Sequence, residues 1–81
     1  MNILLFARLR ERTGCDQMSL PLTGPCTIAD VRTALQEALP DHASLFLPGQ
    51  ALAAVNQTLC DDSMSVAEGD EVAFFPPVTG G

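Results

Sequence analysis

The sequence has no lysine, no tryptophan and no tyrosine, and a single histidine, His42. Without lysine, a Gly-x-x-x-x-Gly-Lys phosphate loop is impossible. One histidine in a loop leaves nothing from which to build a triad or a His-based metal cluster, and His42 reads as solvated surface. Long apolar runs are also missing: Ile3–Ala7 and Ala51–Val55 are five residues each, against the ~18 that suggest a membrane span. Arg8 interrupts the first of these stretches early and no basic start precedes it, so no secretory signal is expected. Cysteine is sparse and odd in number. Cys15, Cys26 and Cys60 make neither a Cys-x-x-Cys pair nor a disulfide framework, which fits a reducing, cytoplasmic setting.

Positive charge is scarce too. Ten acidic residues face four arginines (Arg8, Arg10, Arg12 and Arg32), for a net charge of −6. Such a chain is poorly matched to phosphate backbones or anionic lipid, so neither nucleic acid nor membrane is expected as a partner. A protein with a basic docking surface suits it better. What the chain does have is apolar residues: 47% of its 81 positions are hydrophobic and 17% charged. That is too apolar for disorder, and the length bounds the chain to one domain with one core.

Residues 3 to 9 alternate and predict a strand, with Ile3, Leu5, Ala7 and Leu9 on one face. Thr13-Gly14 reads as a turn, and Met18, Leu20 and Leu22 as the returning arm of a hairpin. The best helix spans about Thr27 to Leu39: Thr27 as N-cap with Asp30 three residues on, Ile28, Val31, Leu35 and Ala38 at helical spacing, and Pro40 as its stop. Leu52–Val55, Thr58–Cys60 and Glu71–Phe75 read as strands, separated by turns at Asn56-Gln57 and Ala67–Asp70. This order predicts an α+β domain, one sheet with one helix across one face. A lone helix leaves the other face uncovered. If Val72 and Phe74 face the helix, Phe75 and Phe6 face away, and an uncovered aromatic patch marks a partner site.

Candidate chemistry is thin. Asp61-Asp62 and Glu68/Asp70 fall well short of a calcium loop and read as turn residues, so no metal is expected. Cys26, just ahead of the helix, sits where a thiolate is mildly favoured, but all three cysteines read as structural thiols. There remains the end of the chain, Pro76-Pro77-Val78-Thr79-Gly80-Gly81. It follows the last strand directly, starts with a stiff diproline and ends without side chains. Extended, its six residues reach at most ~20 Å. Glycines at the tip let it thread a channel where any Cβ would clash, carrying a carboxylate that a partner must activate.

The runs Leu52-Ala53-Ala54-Val55-Asn56-Gln57-Thr58-Leu59 and Gly69-Asp70-Glu71-Val72-Ala73-Phe74-Phe75-Pro76-Pro77-Val78-Thr79-Gly80-Gly81 resemble the small, sulfur-carrying subunits of bacterial molybdopterin synthases. The amino-terminal half fits more loosely, through Arg10, Glu11, Gly14 and the helix. The resemblance implies a ubiquitin-like β-grasp fold, with residues 1–75 as the globular body and 76–81 as a flexible tail. It further implies that an ATP-dependent enzyme adenylates the Gly81 carboxylate, that sulfide from an unidentified donor displaces AMP, and that a thiocarboxylate results. The tail, Gly80 included, would then enter a large catalytic subunit, within a heterotetramer of two small and two large subunits. There the sulfur would pass to cyclic pyranopterin monophosphate. On this reading the chain is no enzyme on its own and binds no cofactor; ATP is used by the activating partner. Phe6, Leu59 and Phe75, with Pro76, Pro77, Val78 and Thr79, are the implied partner contacts. Two other readings are a sulfur carrier of the thiamine type and a ubiquitin-like modifier joined through Gly81 to lysines of other proteins.

Overall fold

The protein is described here from a computed structural model over residues 1–77. Its main helix, α2 (Ile28–Ala38), forms as the sequence predicts. The Thr27 hydroxyl accepts from the Asp30 N–H and the Asp30 carboxylate accepts from the Thr27 N–H, a closed capping box. These bonds satisfy two of the donors that a helix start leaves open. Ile28, Val31 and Leu35 are fully buried. Ala38, expected on the same stripe, is exposed, and Leu39 just beyond the helix is half-buried instead. The last turn yields its core position because Pro40 opens a 3₁₀ segment (Pro40–Phe46) that brings Phe46 into the core.

The amino-terminal strand is shorter than its alternation suggests. Strand β1 covers Asn2–Leu5 only, and Ala7–Thr13 is a second helix, α1. Ala7 turns the chain with a φ of 52°, and the Leu9 N–H reaches back to the Phe6 carbonyl at 3.1 Å. Gly14, at φ 74°, closes the helix by donating its N–H to the Arg10 carbonyl. Thr13-Gly14 is therefore a left-handed helix stop rather than a hairpin turn. Leu9 is buried under either reading, which is why the alternation misleads.

Strand β1 still pairs antiparallel with β2 (Gln17–Ser19), Ile3 opposite Met18, with α1 as the connection. Strands β4 (Leu52–Val55) and β5 (Thr58–Cys60) form a hairpin. Its Asn56-Gln57 turn has φ values of 51° and 70°, the left-handed pair that matches strand twist. A two-stranded ribbon of β3 (Cys26–Thr27) and β6 (Ser65–Val66) adds to the single sheet expected. The last strand, β7 (Val72–Phe75), lies parallel to β1 and antiparallel to β4. The five-stranded order is β2-β1-β7-β4-β5, a mixed sheet whose central strand comes last in the chain.

One residue absent from the expected core is decisive for it. Arg32 of α2 is only 6% exposed. Its guanidinium meets Asp62 twice (Nη2–Oδ1 2.8 Å, Nε–Oδ2 3.2 Å) and donates to the carbonyls of Phe46, Leu47 and Ala51. It also lies 5.3 Å from the centre of the Phe74 ring, which meets Phe46 edge-on. Helix, 3₁₀ segment, the β5–β6 connection and the central strand are thus tied at one point.

Candidate functional site

Register places the site. Across the sheet, Leu4 stands opposite Ala73, Ala73 opposite Ala54, and Ala54 opposite Leu59; Phe75 stands opposite Leu52. Paired residues project to the same side of a sheet. Leu4, Leu52, Leu59 and Phe75 therefore share one face. The alternate residues Ile3, Leu5, Val72, Phe74, Ala53 and Val55 fill the core on the helix side. Phe6 continues the alternation of β1 with extended backbone, and its N–H donates to the Phe74 carbonyl. It is 45% exposed and Leu59 63% exposed. Phe75 is half-buried, as are Pro76 and Pro77 after it. The two-faced strand argument thus selects residues that the fold does bring together, at the end of β7 from which the tail departs. Val78, Thr79, Gly80 and Gly81 lie outside the described residues.

The polar surroundings are organised along the same axis. Arg8, Arg10 and Arg12 are all exposed on α1, which begins beside Phe6 at the tail end of the sheet. Glu68, Asp70 and Glu71 line a groove with Asn2 and Leu4 at the other end of β1 and β7. Net charge hides this polarity. Two exposed apolar side chains were not picked out from sequence, Leu47 and Met64. Both sit in irregular segments where no period betrays orientation.

His42 is half-buried in the 3₁₀ segment rather than fully solvated. No group of three or more metal-ligating side chains comes together among the described residues. All three cysteines are free and half-buried. Cys26 does not have the favoured thiolate that its place before α2 suggests: burial, and then the Asp30 carboxylate, push its pKa up. The capping box puts a negative charge where the helix start would otherwise stabilise one. Burial and then Asp61 likewise raise Cys60. Asp61 itself is held below the usual carboxylate range by the Ser63 hydroxyl and backbone N–H. Together with the Arg32–Asp62 pair, this gives both Asp61 and Asp62 structural partners within the chain. No helix among the described residues is long and apolar enough to cross a membrane.

Comparison with known proteins agrees with this geometry. Residues 3–81 match the ThiS family. The molybdopterin synthase sulfur carrier subunit of Escherichia coli is 41% identical over 81 residues, covering all of this chain and 99% of that one. Its counterpart in Haemophilus influenzae is 42% identical with the same coverage. In structure, the Haloferax volcanii small archaeal modifier protein 1 superposes with a TM-score of 0.80 at 30% identity, over 95% of each chain. These matches extend through both halves of the chain, and the sheet they share is the one described above: the chain belongs to the ThiS family, with the ubiquitin-like β-grasp fold.

Proposed function

We propose that this chain is a sulfur carrier in molybdenum cofactor biosynthesis, acting as the small subunit of a molybdopterin synthase. The observation that carries the proposal is identity of 41% and 42%, over essentially the full length of both chains, to two subunits of that name. In this reading Gly81 is the reacting residue and Gly80 the slender approach to it. Adenylation by an ATP-using partner turns a poor electrophile into one with a good leaving group, and sulfide then displaces AMP. The resulting thiocarboxylate is a soft, ionised nucleophile, delivered by the tail into the large subunit. The face bearing Phe6, Leu59 and Phe75 docks the body while Pro76, Pro77, Val78 and Thr79 lead the terminus inward. The shortage of catalytic side chains supports this division of labour, because the chemistry then belongs to the partners.

The test is intact mass after coexpression with the activating enzyme and a sulfur donor. Gly81 is expected to gain the mass of one oxygen-to-sulfur exchange, and a chain lacking Gly81 to fold but gain nothing. A wild-type chain that never shows the exchange would end the proposal.

The likeness to an archaeal modifier protein favours a second reading, attachment through Gly81 to amines of other proteins. Covalent adducts on a denaturing gel, in place of free thiocarboxylate, would establish it.

A further inference from the structure

We propose that the chain is an acyl donor unable to act as its own acceptor: neither the sequence nor the folded body offers an amine placed to capture an activated carboxyl on another copy. The inference rests on the proposed activation of Gly81, since only an activated acyl group needs such protection. The reaction avoided is aminolysis. A neutral amine attacks the acyl carbon, a C–N bond forms, the bond to the leaving group breaks, and the amine proton passes to solvent base. The product is an amide, which no exchange reverses, and the carrier is lost.

Two kinds of amine exist in an ordinary chain, lysine side chains and the α-amine. The first is missing outright, since all four basic residues are arginine and guanidinium stays protonated. The second is folded away. The Met1 ammonium donates to the carbonyls of Leu20 at 2.8 Å and Leu22 at 3.2 Å, and Met1 is only 9% exposed. The Leu20 N–H returns a bond to the Met1 carbonyl at 2.7 Å, so the first residue is locked against the segment that follows β2. To attack, the amine must give up a proton and both carbonyls and then turn outward. Of the other nucleophiles, the strongest are the three thiols, all half-buried, and transfer to a thiol gives a thioester that attack by a second thiol undoes.

The experiment uses the full chain carrying a chemically installed thioester at Gly81, so no activating enzyme is involved. The thioester is incubated alone at about pH 8, where an ordinary α-amine is substantially neutral. Products are read by intact mass and denaturing gel. The wild-type chain is expected to hydrolyse without forming amide-linked dimer. Two comparators supply an amine: Glu37→Lys on the exposed side of α2, and a short Gly-Ser extension ahead of Met1 that carries the α-amine clear of Leu20 and Leu22. Each is expected to give about tenfold or more covalent dimer than wild type, as an available neutral nucleophile should. Wild-type dimer linked through Met1 at the rate of the extended chain would overturn the proposal. So would comparators that fail to dimerise, because amine supply would then not be what limits self-capture. Neither result depends on the oxygen-to-sulfur exchange, so failure here and failure of the carrier reading are told apart.

Discussion

At Arg32, five hydrogen bonds and an aromatic face meet one side chain, and almost none of it reaches water. A charge so enclosed contributes through what its removal leaves behind. Without it, the carbonyls of Phe46 and Ala51 lose a buried donor, and Asp62 loses its only ion-pair partner among the described residues. Arg32→Ala is therefore expected to cost about 3 kcal/mol, seen as a lower urea midpoint with an unchanged slope. Arg32→Lys is expected to recover little, since one ammonium cannot span a carboxylate and three carbonyls at once. None of this was legible in the sequence. An arginine between Val31 and Thr33 on an amphipathic helix reads as solvent-facing, and its partners are 14 to 30 residues distant.

Helix α2 and helix α1 differ in how openly their sequences declare them. The first has a capping box, a periodic apolar stripe and a proline stop, and local signals suffice. Thr27→Ala removes one half of that box and is expected to cost about 1 kcal/mol, measurable as a fall in thermal midpoint. Helix α1 has neither a side-chain cap nor an acidic first turn. Its seven residues bury only Leu9, and the run from Ile3 to Leu9 satisfies a period of two equally well. Tertiary context decides, through the left-handed Ala7 and the glycine stop. The β3–β6 ribbon was invisible for a related reason: two residues per strand carry no period at all. Gly24 is the trace it leaves, because a Cβ there would meet the Glu68 backbone nitrogen at 2.9 Å, yet an isolated glycine announces no neighbour.

For the whole molecule, the consequential division is between a sheet face packed under α2 and an opposite face whose large side chains run from half-buried (Leu4, Leu52, Phe75) to exposed (Leu59). Phe6 and Phe75 of the candidate patch were legible because alternation in β1 and β7 forces aromatic residues onto both faces, whichever the helix takes, whereas Leu59 entered only through the family resemblance. Leu59→Arg tests it cleanly. Leu59 is already 63% exposed, so thermal stability should hold while affinity for the large subunit proposed as its partner falls by about 2 kcal/mol, roughly thirtyfold, in titration calorimetry. Equal binding by the variant would remove this face from the interface. The strand order also governs how the protein comes into being. Strand β7 is the last to leave the ribosome and yet the middle of the sheet, flanked by β1 and β4. Until Val72–Phe75 has emerged, β2-β1 and β4-β5 are two separate hairpin-like pieces with no shared hydrogen bonds, and such pieces are marginal alone. A product interrupted before β7 therefore lacks the strand that joins the two pieces into one sheet on which a partner could dock. Competence to be recognised and possession of the strand that leads into the tail thus arrive together.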